Sequence, residues 1–337
     1  MRTSPPILVI GAGVLGLCTA VTLIRRGHAV LVVDPGEPNA SSVAAGMIAP
    51  AMEAGIDRLA PQAAALLRAG RDLWPAFAEA TGVRLVRRPA EWRGHGAEAI
   101  GEHIRSLGFE AQSDVDRAVT QEDWQVEPPQ AMTALRAALG AAFVHGRVDR
   151  VVQDATGWTA SVNGRLLHAS AVVLATGAAG AIQGLPPTAS VLVNSIQPIR
   201  GQIGATRTAL ATHVTRGPGA YVAPMAHGAV IGATMEAGRR ETAPDVQTGE
   251  RLLEAAWRVL GRPPEALDVE WQAGVRGASP DGLPMAGRVS DGLNLYAALA
   301  PRRNGWLLGP LVGEVVADEI EGRPPSPEVR ALDPRRF

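Results

Sequence analysis

Three glycines near the start of the chain, followed by a carboxylate, have the types and spacing that predict binding of a dinucleotide. Gly11, Gly13 and Gly16 form the pattern G-x-G-x-x-G directly after the apolar run Ile7 to Ile10, and Asp34 ends the next apolar run. In such a unit the first glycine permits a tight turn, the second lets the backbone approach a pyrophosphate, and the third allows close helix–strand packing. The helix N-terminus offers N–H groups to the phosphates, and the acid binds ribose hydroxyls.

A membrane anchor or a signal peptide is the alternative interpretation of this region, because no charged residue occurs from Ile7 to Ile24. The glycine pattern inside this stretch, the polar turn at Arg25 to His28 and the second apolar run favour a strand–helix–strand unit instead. For Asp34 a second interpretation stays open, in which it is a solvated turn carboxylate before Pro35 and Gly36.

The composition excludes several classes of enzyme. The chain contains no lysine, so all 32 basic residues are arginine, which excludes lysine Schiff-base enzymes, P-loop NTPases and protein kinases. The single cysteine, Cys18, excludes an internal disulfide and a cysteine-rich zinc site, and the seven histidines lack metal-ligand spacing. We expect no metal site. The net charge of −1 gives no reason to expect nucleic acid as a partner.

Hydrophobic periodicity and turn residues predict the elements that would position these residues. The predicted helices are 60–80, 97–107, 130–139, 248–260 and 312–320, the last with Pro310 in its first turn. The predicted strands, beyond the first two, are 83–92, 147–152, 158–162, 165–167, 171–175, a β series over 196–233, and 295–299. The chain returns to strand-then-helix near its end, which predicts a nucleotide domain assembled from separated segments with a mostly antiparallel domain inserted.

Seven motifs occur in an order that resembles a known family. After the first glycine turn come SSVAAGMIAP, ATGAAG, PIRGQIGAT, YVAPMAHGAVIGAT, GVRGASPDGLPMAG and RRNGWLLGPLVGEVVADEI. This set resembles the D-amino-acid oxidase family of FAD-dependent amine oxidoreductases, and most closely its glycine oxidase branch, which includes enzymes of thiazole biosynthesis. The resemblance runs from residue 7 to about residue 320 and is weakest over 84–140.

The resemblance implies an α/β fold with two domains. The expected FAD-binding domain is Rossmann-like and is assembled from residues 1–83, 130–190 and 276–337. The expected substrate domain is inserted, mainly antiparallel and of α+β type, and comprises residues 84–129 and 191–275.

The motifs also imply which residues contact FAD and substrate. Besides Gly11, Gly13, Gly16 and Asp34, the implied FAD contacts are Val14, Leu15, Ser41, Ser42, Gly46, Met47, Ile48, Val148, Thr176, Gly177, Arg276, Arg303, Asn304, Gly305, Trp306 and Leu307.

The implied catalytic set is Tyr221, Arg276 and Arg303, in which Tyr221 and Arg276 bind the substrate carboxylate. An arginine fork matches a carboxylate bidentately, and arginines before a helix N-terminus favour the anionic edge of a reduced flavin. Simpler interpretations stay open: a surface salt bridge for Arg276, core packing for Tyr221, and a solvated charge for Arg303.

We therefore expect an enzyme that oxidises a small amino acid or an N-substituted glycine, with hydride passing from Cα to flavin N5. The imine would hydrolyse to an oxo acid, and dioxygen would reoxidise the flavin. FAD is expected to be non-covalent, because Cys18 lies on the first helix and not at the position used for covalent attachment in sarcosine-oxidase relatives. The alternatives are a dehydrogenase with another electron acceptor, a nicotinamide-dependent reductase and a flavin-binding protein without turnover.

The expected partners follow from the same interpretation. They are a small-molecule amino acid or amine and dioxygen or another acceptor, with no nucleic acid and no integral membrane segment. A cytoplasmic location is expected, and a homo-oligomer is left open.

Overall fold

A computed structural model describes residues 5–180 and 182–337 of the chain. Its strands are β1 Ile7–Ile10, β2 Val30–Asp34, β3 Met47–Ile48, β4 Leu85–Arg87, β5 Ala90–Arg93, β6 Gln112–Ser113, β7 Arg117–Thr120, β8 Trp124–Val126, β9 Phe143–His145, β10 Val148–Asp154, β11 Gly157–Val162, β12 Arg165–Ala169, β13 Ala171–Leu174, β14 Gln197–Thr206, β15 Val214–Gly217, β16 Ala220–Met225, β17 Gly228–Gly232, β18 Glu236–Ala237, β19 Glu270–Ala278, β20 Met285–Arg288 and β21 Leu295–Leu299. Its α-helices are α1 Val14–Arg25, α2 Pro50–Ile56, α3 Pro61–Asp72, α4 Trp74–Thr81, α5 Ala97–Ser106, α6 Pro128–Ala138, α7 Pro187–Asn194, α8 Val246–Leu260 and α9 Gly305–Ile320.

The chain forms two compact units, of which unit 1 comprises the described residues of Met1–Ala40, Met132–Ile199 and Arg276–Phe337. Its main sheet has the strand order β20-β21-β13-β1-β2-β9. All neighbours in this sheet are parallel except β20, which pairs antiparallel with β21. The β1–α1–β2 unit and the assembly from separated segments confirm the predicted fold class.

Helix α9 differs from its prediction, because it begins at Gly305 rather than at residue 312 and contains Pro310 in its interior. The proline removes one backbone hydrogen bond, yet the helix continues because nearly all of it is buried. Close packing against α1 holds it: a Cβ atom added at Gly309 would lie 2.9 Å from Cys18 Sγ. The proline rule placed the start of α9 too late, since it assigned Pro310 to a first turn.

Unit 2 comprises Ser41–Ala131 and Arg200–Val275. Its large sheet has the order β18-β14-β17-β16-β15-β5-β7-β6 with β19 beside β14, and a small sheet has the order β3-β8-β4. Residues 41–83, which the sequence analysis grouped with the FAD-binding segments, cluster here because Met52 of α2 belongs to one buried core with Ile100 and Ile104 of α5.

Two predicted elements of unit 2 are each divided by a proline. The predicted helix 60–80 becomes α3 and α4, with Leu73 between them and Pro75 in the first turn of α4. The predicted strand 83–92 becomes β4 and β5, which lie in different sheets on either side of Pro89. Proline lacks the N–H that a continuous helix or strand would use, so the chain starts a new element at each site. Within the described residues, no helix is long and apolar enough to cross a membrane.

Candidate functional site

The glycine turn of unit 1 has the geometry that a phosphate site requires. Gly11 has φ +110°, and a Cβ atom added there would lie 2.3 Å from the carbonyl oxygen of Ala175. A Cβ atom at Gly16 would lie 2.0 Å from the carbonyl oxygen of Gly11. Gly13 is the N-cap of α1 and makes no side-chain capping bond. The backbone thus comes as close as the predicted dinucleotide site needs, and α1 begins without a side chain over its N-terminus.

Asp34 lies at the end of β2 and is only 8% exposed, so it is not the solvated turn carboxylate of the alternative interpretation. Its Oδ2 accepts a hydrogen bond from the Ala12 N–H at 2.7 Å, and its Oδ1 accepts one from the Gly36 N–H at 2.7 Å. Because each carboxylate oxygen has a second lone pair, ribose hydroxyls can still bind. The Gly146 N–H donates to the backbone carbonyl of Asp34, which brings the start of β10, where Val148 lies, next to this acid.

Thr176 and Gly177 lie at the carboxyl end of β13, which is the edge where ligands bind in open parallel sheets. The Oγ1 atom of Thr176 is buried and has no hydrogen-bond partner among the residues that the structure describes. Gly177 has φ +62°, which a side chain would disfavour. A polar ligand at this edge of the sheet would satisfy the Thr176 hydroxyl, which costs about 1–3 kcal/mol when left unsatisfied.

Gly277 brings three of the predicted segments together. A Cβ atom at Gly277 would lie 3.2 Å from the carbonyl oxygen of Gly177, and the Arg302 N–H donates to the carbonyl of Gly277 at 2.9 Å. Arg276 is half-buried and precedes Gly277 in β19, so its backbone lies one residue away from both of these contacts.

The turn over 301–304 leads into α9, whose N-cap Asn304 makes no side-chain capping bond. Gly305 lies beside the other helix start, because a Cβ atom there would come within 3.1 Å of Val14 Cγ1. The N-termini of α1 and α9 therefore lie side by side, and both carry partial positive charge. Trp306 and Leu307 are buried in the first turn of α9.

The other predicted FAD contacts are in unit 2. Ser41 and Ser42 lie in a turn before β3, and Met47 and Ile48 form β3. Gly46 has φ +69°, and a Cβ atom there would lie 2.0 Å from the carbonyl oxygen of Val126. This glycine is therefore required for the close approach of β3 to β8.

Tyr221 is half-buried on β16, directly opposite Gly232 of β17. A Cβ atom at Gly232 would lie 2.4 Å from the Tyr221 hydroxyl oxygen, so the phenol occupies the space over this glycine. Tyr221 also packs against the core of unit 2 at its edge. Its contact with substrate stays a prediction.

Sequence reasoning missed a buried polar group in unit 2, formed by Glu53, Asp123, Gln125 and Arg216. The Arg216 Nη1–H donates to Glu53 Oε1 at 2.8 Å, and both residues are buried. Burial raises the pKa of the Asp123 carboxyl to about 7, against the opposing effects of the Arg216 charge and of hydrogen bonds from Ala51 and Met52. A cavity of about 10 Å³, lined in part by Met47, Asp123, Gln125 and Arg216, adjoins this group. No spacing rule predicts it, because its members come from three separate segments.

No group of three or more His, Cys, Asp or Glu residues in the described part of the chain is arranged to hold a metal ion. The glycine turn, the unsatisfied Thr176 hydroxyl and the paired helix N-termini fit a dinucleotide instead.

Comparison with known protein families decides which dinucleotide. The model of the family DAO, FAD dependent oxidoreductase, matches residues 6–319. The chain belongs to this family. It is a FAD-dependent oxidoreductase, which confirms FAD over the nicotinamide alternative.

Individual known proteins resemble the chain over most of its length. A glycine oxidase of Geobacillus kaustophilus (strain HTA426) is 29% identical over 94% of this chain and 92% of its own. A tRNA 5-methylaminomethyl-2-thiouridine biosynthesis bifunctional protein of Caulobacter sp. (strain K31) is 30% identical over 100% of this chain, which spans 59% of that protein. The crystal structure of glycine oxidase from Geobacillus kaustophilus has a TM-score of 0.83 and 24% identity, with 99% of this chain and 100% of that chain covered, and it shows the same fold.

Proposed function

We propose that this enzyme oxidises the C–N bond of a small amino acid or an N-substituted glycine and transfers the electrons from its flavin to dioxygen. The product imine then hydrolyses to an oxo acid and ammonia or an amine. The observation that carries this proposal is the position of Arg276, half-buried beside the Gly277 contact with Gly177. The 29% identity to a glycine oxidase over 92% of that enzyme supports the same substrate class.

Arg276 is suited to hold the carboxylate of such a substrate. Its planar guanidinium can donate two parallel hydrogen bonds to a carboxylate, and partial burial strengthens that pairing. Holding the carboxylate fixes the direction of the Cα–H bond, and such orientation lowers the barrier without a side-chain base.

The cofactor supplies the hydride acceptor when bound, and the protein supplies its electrostatics. Arg303 and the N-terminus of α9 would stabilise negative charge on the reduced cofactor. The substrate amine must lose its proton before oxidation so that its lone pair can assist, and a site that excludes water favours the neutral amine.

The relative named for a tRNA modification suggests a second substrate class, an amine attached to RNA. The net charge of −1 provides no general attraction for a polyanion, so we favour the free amino acid.

An anaerobic screen tests the proposal. Purified holoenzyme is mixed with glycine, sarcosine, D-alanine, L-alanine, iminodiacetate and methylamine, and flavin absorbance is recorded. We expect bleaching by at least one compound with a carboxylate and none by methylamine, followed by peroxide release when air is admitted. Bleaching by methylamine at the same rate would contradict the carboxylate site, and reoxidation only by an added dye would assign a dehydrogenase.

A further inference from the structure

The segment 45–53 of unit 2, which contains the two-residue strand β3, is held by a set of buried polar contacts. Strand β3 pairs with β8 only through Met47 with Gln125 and Ile48 with Trp124. Two ladder positions are too few to fix a strand by themselves, since isolated short pairs are marginally stable. Other contacts must therefore determine where this segment lies.

The residues of β8 and the one before it supply four of the six contacts. The Gln125 Nε2–H donates to the carbonyl of Ala45 at 3.0 Å, and the Val126 N–H donates to the carbonyl of Gly46 at 2.9 Å. Asp123 accepts hydrogen bonds from the N–H groups of the first turn of α2, at 2.9 Å from Ala51 and 3.2 Å from Met52.

Arg216 of β15 supplies the others. Its Nη2–H donates to Met47 Sδ at 3.0 Å, while its Nη1–H donates to Glu53 Oε1 at 2.8 Å. One planar guanidinium thus joins β3 to α2 and spans the bend between them. Residues 45, 46, 47, 51, 52 and 53 are each bonded to Arg216 or to residues 123–126.

Burial of these charged groups contributes little net free energy to folding. A buried ion pair roughly balances its own desolvation, and apolar residues of similar volume often replace it without loss. The buried polar group instead fixes the geometry of segment 45–53, because its directional hydrogen bonds end on residues of that segment.

We propose that Arg216 and Asp123 are positioning residues that set the place of β3 for contact with the flavin. The inference rests on the proposed function in one respect, namely that the Gly46 to Ile48 segment contacts FAD, and it is independent of which substrate is oxidised. Removing either residue is expected to loosen 45–53 and to weaken FAD binding.

Three variants test this inference. Arg216→Met removes both guanidinium contacts and retains an unbranched apolar chain. Asp123→Asn weakens the hydrogen bonds from the first turn of α2. Gln125→Met removes the hydrogen bond to Ala45 and leaves the Arg216–Glu53 ion pair intact. These two variants remain informative if Arg216→Met fails to fold. Arg200→Met is the matched control, because Arg200 is 1% exposed in the same unit, pairs with Glu236, and makes no hydrogen bond to 45–53.

Amide hydrogen exchange of the apoprotein gives the first readout. In the three test variants, exchange of peptides covering 45–53 should rise at least about tenfold, while Arg200→Met should leave these peptides unchanged and raise exchange in 236–245. The holoenzymes give the second readout. The FAD dissociation constant should rise about tenfold or more in Arg216→Met, and the visible circular dichroism of bound FAD should change.

Two outcomes would overturn the inference. Unchanged exchange at 45–53 in all three variants would mean that the polar group does not position the segment. Increased exchange with unchanged FAD affinity and unchanged flavin dichroism would mean that the segment is held for another purpose. Neither measurement uses substrate, so a failed substrate assignment leaves both results valid.

Discussion

The carboxylate of Asp34 accepts a hydrogen bond from the backbone N–H of Ala12, 2.7 Å away, and so joins the end of β2 to the glycine turn. A residue predicted as a ligand for ribose therefore also orders the protein around the phosphate site. Asp34→Ala should consequently affect the apoprotein as well as the holoprotein. Two backbone donors lose their acceptor, so we expect a loss of about 1–3 kcal/mol in the unfolding free energy of the apoprotein.

The same variant should weaken FAD binding by about tenfold to a hundredfold, because a charge-assisted hydrogen bond to ribose is lost. Urea unfolding of the apoprotein and titration with FAD measure the two effects separately. A loss of apoprotein stability without any loss of FAD affinity would assign Asp34 to the turn alone.

Gly13→Val tests the phosphate site. The branched side chain would stand at the N-terminus of α1, where the pyrophosphate is predicted to lie. We expect colourless apoprotein after gel filtration, with the unfolding temperature of wild-type apoprotein. A variant that retains stoichiometric yellow cofactor would refute this location of the phosphates.

Thr176→Val tests whether the buried Thr176 hydroxyl lowers the stability of the apoprotein and whether it binds FAD. Since Oγ1 of Thr176 has no protein partner in the described part of the chain, the apoprotein should be as stable as the wild type or more stable. FAD affinity should fall about three- to tenfold if the hydroxyl bonds to the cofactor. Thr22→Val is the control, because its Oγ1 is also buried without a partner in the described residues, and it should leave FAD affinity unchanged.

Arg276 is the residue on which the substrate class depends. Arg276→Ala would remove the counter-charge of the substrate carboxylate, and we expect a loss of about 2–5 kcal/mol in binding. Arg276→Lys should also raise KM strongly, because an ammonium cannot reproduce the planar fork. Flavin reduction at saturating substrate should slow, since the carboxylate orients Cα.

The decisive comparison for Arg276 uses an amino acid and the matching amine without its carboxylate. Both substitutions should impair oxidation of the amino acid and leave any oxidation of the amine nearly unchanged, with the FAD content unaltered. Equal losses on the two compounds would show that Arg276 is structural.

Asp123 makes stability depend on pH in the direction opposite to that of most carboxylates. Its pKa rises from 3.8 to about 7 because burial disfavours the charged form, although Arg216 opposes the shift. The folded state therefore binds a proton at Asp123 more tightly than the unfolded state does, and this proton binding stabilises the fold. The stabilisation is fully present below the pKa of Asp123 in the unfolded state, and it is lost as the pH rises through 7. Between about pH 5 and about pH 8 the wild type should lose roughly 2–3 kcal/mol relative to Asp123→Asn. Urea unfolding of apoprotein at the two pH values measures this difference, and parallel pH profiles would show that Asp123 does not titrate in this range.

The parts of the fold that local pattern determines could be predicted from the sequence. The β1–α1–β2 unit follows from glycine spacing and apolar runs, since each residue in it acts on its neighbours in the chain. The prediction of α9 starts the helix too late, because Pro310 lies inside a helix that is buried and packs at Gly309 against Cys18 of α1. That contact joins residues far apart in the chain, and no local rule contains it.

The same limit applies to the candidate site. Motifs predict Thr176 and Arg276, but the close approach of their neighbours Gly177 and Gly277 depends on the bare Cα of Gly277. Asp123 and Arg216 gave no signal at all, because a short polar strand and an arginine in a β series have the composition of exposed surface. Only tertiary structure reveals that they are buried.

The order of strands in unit 1 has a consequence for how the protein is made. Ile7 of β1 pairs with Ala171 of β13, and Val172 of β13 pairs with Leu295 of β21. A ribosome that has delivered β1 and β2 must add more than a hundred residues before β13, the second neighbour of β1, exists. It must add more than a hundred further residues before β21 pairs with the free edge of β13. Contacts of such long range form slowly, and open strand edges promote aggregation in the meantime. Until the last third of the chain has emerged, one edge of β1 and then one edge of β13 therefore offer unpaired backbone groups, as an edge strand does.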